Sequence, residues 1–266
     1  MDITQDLKDA ENALRDFIIL KLQSAFGLAW EEKSGVSEER LQKWRERKQI
    51  EAKRQDSGIV DERLLYYADF YDLRTILKKH WAGHFAEVLG DLKTMEVWLT
   101  VLESLRDPDA HRRELLPHQK NLAIGISGEI RTRITRFRSR QGNSESYFPR
   151  IESVRDNLGH LWTPTYSRSV FITNTILRPG DLVSFVITAI DPQGNKLQYG
   201  LSKPDNEEIW HDENALSFVV EFKHIGKDRI VELYIRSHLG YHAYPDAFPL
   251  HDDKVSFLYD IIPISR

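Results

Sequence analysis

The chain has 266 residues, 41% of them apolar, with a formal net charge of −4 and no cysteine. That length and composition allow two domains with ordinary cores and exclude a disordered chain, while the lack of cysteine excludes disulfides, thiolate metal sites and Cys nucleophiles and suits a cytoplasmic location. The opening MDITQDLKDAENALRD is charged from the start, unlike a signal peptide, and no apolar run approaches the ~20 residues that cross a bilayer, so no membrane role is expected.

Residues 4–26 read as an amphipathic helix. Leu7, Ala10, Leu14, Phe17, Ile18, Leu22, Ala25 and Phe26 recur at three- and four-residue steps, and Gly27 is a natural stop. Residues 37–56 are dominated by charge, with Ser37 able to cap a helix and only Leu41, Trp44 and Ile50 as apolar anchors. They read as a solvated surface helix, or alternatively as a basic arm for nucleic acid. A further helix is expected over 61–81, capped by Asp61, and another over 91–105, capped by Asp91. A short helix through Leu116 follows, and Pro117 then opens a last long helix to about Ser139. Its final turns carry Arg131, Arg133, Arg136, Arg138 and Arg140, more cations than the helix dipole alone accounts for. Guanidinium groups suit phosphate by geometry, so these are candidate polyanion contacts.

Around Gln141-Gly142-Asn143-Ser144 the pattern changes, which places a boundary between a helical domain, 1–140, and a β domain, 141–266. Residues 1–140 hold 25 Lys/Arg against 24 Asp/Glu, and residues 141–266 hold 12 against 17. A polyanion site is therefore expected as a local patch in the first domain. In the second, Val170, Ile172 and Ile176 alternate with polar residues, and Leu182–Ile190 is a near-continuous apolar strand. Further strands read near 148–155 and at 197–201, 215–223, 229–237 and 254–262. Turns fall at Arg178-Pro179-Gly180-Asp181, Asp191-Pro192-Gln193-Gly194-Asn195 and Gly226-Lys227-Asp228. About seven short strands in about 115 residues suit an antiparallel, immunoglobulin-like β-sandwich.

The stretch Leu105-Arg106-Asp107-Pro108-Asp109-Ala110-His111 carries the chemistry. An apolar helix runs into it and stops. Asp107 offers an oxygen to cap the next helix, and Pro108 fits its first position. Arg106 then stands at a helix junction and His111 about one turn into the next helix, with Arg112 and Arg113 beside it. An Arg and a His near an exposed helix N-terminus suit holding and cleaving a phosphodiester.

With its Arg-x4-His motif between two helices, preceded by LLYYADFYDLRTILKKHWAGHF…MEVWLTVLESLRDPDAH, the helical domain resembles the HEPN family over residues 60–138. The resemblance implies a homodimeric, metal-independent endoribonuclease of the kind found among toxins and antiviral defence effectors. Its mechanism would be attack of an RNA 2′-hydroxyl on the adjacent phosphate, giving 2′,3′-cyclic phosphate ends. It makes His111 the general acid or base, Arg106 the phosphate holder and Asp107 the orienting polar residue, with no cofactor. RNA, with transfer RNA a reasonable class, is the expected substrate. Arg112, Arg113, Arg131, Arg133, Arg136 and Arg138 are the candidate RNA contacts. A rival reading keeps the bundle as a non-catalytic dimerisation scaffold for a protein- or ligand-binding sandwich. The stretch LRPGDLVSFVITAIDPQGNKLQY is similar to cadherin-like and other immunoglobulin-like modules, which supports the fold alone.

Two further groups stand out. His238, His242, Asp246, His251, Asp252 and Asp253 cluster in SHLGYHAYPDAFPLHDD, where no ligand spacing for a metal is evident. With Tyr241, Tyr244 and Phe248 this reads as an aromatic loop for a protein partner. His80 and His84 flank Trp81 at helical spacing and read as packed or surface histidines.

Overall fold

The computed structural model describes residues 3–54, 60–106, 115–141, 148–164 and 170–263; Arg54, Arg106 and residues 139–141 are described by their helical backbone only. The chain divides into two compact units, Met1–Phe137 and Arg138–Arg266, a few residues before the boundary read from the sequence.

The first unit is helical: α1 (Thr4–Phe26), α2 (Trp30–Lys33), α3 (Glu38–Arg54), α4 (Phe70–His80), α5 (Ala86–Leu89), α6 (Leu92–Arg106) and α7 (Pro117–Gln141). The α1 stripe packs as its periodicity requires, with Leu14, Phe17, Ile18 and Leu22 almost wholly buried. Gly27 ends the helix at φ +60°, a left-handed value that favours glycine, and its N–H returns to the Gln23 carbonyl.

The charged segment is a surface helix with most of its residues exposed, as its composition suggests, and it is anchored by two of its three apolar residues. In α3, Leu41 and Trp44 are 1% exposed. The Trp44 indole donates to Asp72 of α4 at 2.9 Å. Four of the basic residues of α3 pair with carboxylates beyond the helix or at its start: Arg40 with Asp72 and Asp69, Arg45 with Glu31 and Glu38, Arg47 with Asp69, and Lys48 with Glu62.

The helix expected over 61–81 is interrupted. Leu64–Tyr67 forms a 3-10 turn, and α4 begins only after Asp69, whose capping box with Asp72 starts it. The cause is visible in where the carbonyls point. Arg15 of α1 donates to the Leu65 and Ala68 carbonyls at 3.1 and 3.2 Å, and Arg47 to the Tyr67 carbonyl at 2.8 Å. Guanidinium groups thus take acceptors that a continuous α-helix would give to its own N–H groups. Asp61 accepts from Arg63 instead of capping a helix, and Arg63 also reaches Asp16 at 2.7 Å. The helix beginning at Leu92 has the expected Asp91 cap, with the Thr94 N–H at 2.8 Å. Between α4 and α5, residues Trp81–Phe85 form a π-helical turn.

The second unit holds β1 (Arg150–Asp156), β2 (Leu161–Trp162), β3 (Val170–Leu177), β4 (Leu182–Ile190), β5 (Leu197–Ser202), β6 (Glu208–His211), β7 (Ala215–Val219), β8 (Gly226–Ser237) and β9 (Asp253–Ile261). They build a four-stranded sheet ordered β2-β1-β4-β7 and a five-stranded sheet ordered β3-β9-β8-β5-β6. The arrangement is mixed where the sequence predicts an antiparallel one, because β3 runs parallel to β9 while the other pairings are antiparallel. Residues of both sheets share one core, with Phe185 of β4 against Phe257 of β9 at 5.3 Å between ring centroids. The short strands β2 and β6 have no clear sequence signal.

Two apolar patterns face outward. In β3 it is Thr173 and Leu177 that are buried, while Val170, Ile172 and Ile176 are exposed. The two-residue alternation holds on both sides of the register shift around Asn174, which lies at φ +54°, so the apolar set read from the sequence is simply the outward one. In β4, Val183, Phe185 and Ile187 face the core while Leu182 and Val186 are exposed.

Candidate functional site

Arg106 is the last residue of α6, and α7 opens at Pro117. The Arg106 position therefore stands at a helix end in the connection between two long helices. Asp107, His111, Arg112 and Arg113 lie outside the described residues, as does the short helix expected through that stretch. Leu115 and Leu116 are not helical; Leu116 N–H donates to the Gln119 side chain at 2.9 Å, a cap for α7.

The arginines of α7 do not form a uniform array. Arg133 is woven into the bundle: its Nε donates to Glu129 at 2.8 Å and its Nη1 to the Leu89 carbonyl at 2.5 Å, with the guanidinium 4.9 Å from the centre of the Trp98 ring. Gly90, at φ +84°, makes room for it, since a Cβ there would lie 2.9 Å from Nη1. Arg138, in the second unit, donates to the Ile151 carbonyl at 2.9 Å. Arg136 is exposed and Arg131 half-buried. Of the four described candidates, Arg136 is the one placed most openly for a phosphate. Arg140 is described only as helical backbone.

An apolar cavity opens between α1, α4, α6 and α7, lined by Leu14, Phe70, Leu99 and Ile130 with Glu11 as its polar member. Glu11 accepts from Arg15 at 2.6 Å, so this carboxylate is engaged in the fold.

Aromatic and imidazole rings gather beside the π-helical turn. Phe26 lies 5.5 Å from His80 and 5.6 Å from His84, and the two imidazoles are 5.9 Å apart. His80 Nε2 is 2.9 Å from the Lys33 carbonyl and 3.0 Å from that of Ser34. Both partners are acceptors, so Nε2 carries the proton. The sequence shows the His-x3-His spacing; it does not show Phe26 and Lys33 arriving from elsewhere in the chain.

In the second unit, the cluster near the end of the chain is structural. Asp252, fully buried, accepts from the Ser237 and Ala243 N–H groups at 2.7 and 2.9 Å and lies 3.3 Å from His242 Nδ1. His251 Nδ1 donates to the Pro249 carbonyl at 2.7 Å, and the ring stacks on Tyr244 at 4.9 Å. Among the described residues no group of three or more His, Cys, Asp or Glu is arranged to hold a metal. The loop so anchored presents Tyr241, Tyr244 and Phe248 to solvent, Phe248 at 94% exposure. A second polar chain joins β1, β3 and β9. Asp156 accepts from His160 Nδ1 at 2.6 Å and from the Tyr259 hydroxyl at 2.7 Å, and His160 Nε2 lies 3.1 Å from the Thr175 hydroxyl. Burial works to raise the Asp156 carboxyl, but the hydrogen bonds from His160 and Tyr259 outweigh it and hold the group below its ordinary value.

Compared with known proteins, the chain matches no family model and no curated sequence. No helix among the described residues is long and apolar enough to cross a membrane.

Proposed function

We propose that the chain is a cytoplasmic HEPN-type endoribonuclease, acting as a homodimer in a toxin or antiviral defence setting, with its β unit as an immunoglobulin-like recognition module. The observation that carries the catalytic reading is the position of Arg106 at the end of α6, with the Arg-x4-His stretch in the connection to α7. His111 would move the proton of the attacking 2′-hydroxyl or of the leaving 5′-oxygen, and Arg106 would offset the charge gathering on the phosphate. No metal enters this reaction. Exposed Arg136 and the arginines flanking His111 extend the phosphate-binding surface.

The immunoglobulin-like reading is supported by strand order. With β1, β4, β5, β7, β8 and β9 in the roles of strands A, B, C, E, F and G, the sheets read A-B-E and G-F-C, and β6 adds an edge strand to the second. The aromatic loop between β8 and β9 would then be an F–G loop, placed to meet a protein partner.

The test is incubation of the purified full chain with total RNA in EDTA, followed by mapping of product ends. Cyclic phosphate and 5′-hydroxyl ends that disappear in His111→Ala support the reading. Equal cleavage by both proteins, or none by either, removes His111 from the chemistry. In the latter case the rival reading, a scaffold for a binding module, gains.

A further inference from the structure

The ring cluster beside the π-helical turn has features that packing alone leaves unused. His80 and His84 are each only partly buried, as is Phe26. The Lys33 ammonium sits 5.4 Å from the centre of the Phe26 ring. The Lys79 side chain crosses Gly35, a residue at φ +97°, where a Cβ would overlap Lys79 Cδ and lie 3.1 Å from its Nζ. Both lysines are exposed. Among the described residues neither is ion-paired with a carboxylate, in contrast to Lys43 and Lys48 of α3. No residue among those described hydrogen-bonds the His84 ring; its neighbours are the rings of Phe26, His80 and Phe85. Two cations without a carboxylate partner among the described residues thus share a small surface with three rings set tilted or edge-on to one another. The π-helical turn that carries His84 is itself a rare backbone form, found often at functional sites.

Each group suits one part of a nucleotide. Every base has a π face, so an aromatic platform flanked by cations is the general device for single-stranded nucleic acid. The fixed tautomer of His80 adds discrimination. With Nε2–H given to the Lys33 and Ser34 carbonyls, Nδ1 of the neutral ring is an acceptor, able to take a hydrogen bond from a ribose 2′-hydroxyl that DNA lacks. We propose that Phe26, His80, His84, Lys33 and Lys79 form a binding site for single-stranded RNA. A base stacks on the His84 ring with Phe26 set edge-on beside it, the adjacent phosphate is held by Lys33 and Lys79, and the ribose is read by His80. This rests on the ribonuclease reading for its substrate class, and it assigns these residues to binding.

The experiment uses the full chain carrying His111→Ala, so that binding is read without cleavage. Fluorescence anisotropy follows a labelled 12-nucleotide RNA and the DNA of the same sequence. The proposal expects Lys33→Glu with Lys79→Glu to weaken RNA binding at least tenfold and to flatten its salt dependence, by about 0.7 in log–log slope for each phosphate no longer held. It expects His84→Ala to weaken RNA binding by about fivefold or more, the size of a missing stacking partner. It expects RNA to be preferred to DNA by about fivefold. Both lysines are exposed, so the double variant should fold, as circular dichroism will report. Lys33→Arg with Lys79→Arg should restore binding. Unchanged RNA affinity in the Glu variants, or equal affinity for DNA, overturns the site. Cleavage by the chain with His111 intact is measured separately. RNA binding at these residues without any cleavage defeats the ribonuclease reading and leaves the site standing; cleavage with binding indifferent to these residues does the reverse.

Discussion

The indole N–H of Trp44 donates to the buried carboxylate of Asp72 at 2.9 Å, joining α3 to the first turn of α4. Asp72 also accepts the backbone N–H of Asp69 and pairs with Arg40. The bond therefore ties the most charged segment of the chain to the cap that starts α4. Trp44→Phe keeps most of the ring volume but leaves the carboxylate one donor short. The expected loss is about 1–3 kcal/mol, and Trp44→Ala should cost about 3–5 kcal/mol. Urea unfolding of the three proteins checks this. A change under about 0.5 kcal/mol in Trp44→Phe would mean that α3 docks without this bond.

Local signals make α1, α6, α7 and β4 legible, because apolar spacing and end residues such as Gly27, Asp91 and Pro117 act within one element. What the sequence conceals is long-range. The break before α4 is imposed by Arg15 and Arg47, which reach the Leu65, Ala68 and Tyr67 carbonyls from other helices. Asp69-x-x-Asp72 is a readable capping box, but the aromatic run around it resembles uninterrupted helix. The charge of α3 rightly suggests an exposed face, but one sequence does not show that its cations meet Asp69, Asp72 and Glu62. The arginine run of α7 reads as one surface, whereas Arg133 turns toward Leu89 and Trp98. The outward face of β3 is hidden because alternation tells that a strand has two faces but not which one is covered, and here the side bearing Val170, Ile172 and Ile176 is the open one.

Glycine substitutions provide a matched pair. Gly90 has φ +84°, and a Cβ there would lie 2.9 Å from Arg133 Nη1. Gly90→Ala should cost about 1–2 kcal/mol or more, through backbone strain and displacement of that guanidinium. Gly125 lies within α7, and a Cβ added there would meet nothing within 4 Å. Gly125→Ala should therefore stabilise by about 0.5–1 kcal/mol. Thermal unfolding that moves both variants in the same direction would contradict this account.

Asp156 predicts an acid limb in the stability of the β unit. Its carboxyl is held below the ordinary value by His160 and Tyr259 against the opposing effect of burial. A depressed carboxylate contributes stability that is fully present above its unfolded value, about 3.9, and is lost as pH falls through the lower folded value. Asp156→Asn should be destabilised at pH 7, by about 2–3 kcal/mol. Its stability should also fall less steeply than wild type below about pH 4. Denaturant titrations at several pH values check both parts. Parallel acid limbs in the two proteins would show that other carboxylates set the limb.

Arg133 and Arg136 separate a structural role from a binding role three residues apart on α7. Arg133 donates to Glu129 and the Leu89 carbonyl and stacks on Trp98, so Arg133→Ala removes hydrogen bonds and packing together. It should lower stability by about 1–3 kcal/mol, and Arg133→Lys should recover little, because an ammonium cannot reproduce the planar fork. Arg136 is exposed, so Arg136→Ala should leave the unfolding midpoint within about 0.5 kcal/mol of wild type. On the proposed function, the same change should weaken RNA binding by the His111→Ala protein and reduce its salt slope by about 0.7. Calorimetry and a salt series of anisotropy titrations read the two effects independently. If Arg133→Ala weakens RNA binding at unchanged stability, the assignment of roles is reversed, and the polyanion surface extends onto the side of α7 that meets Trp98.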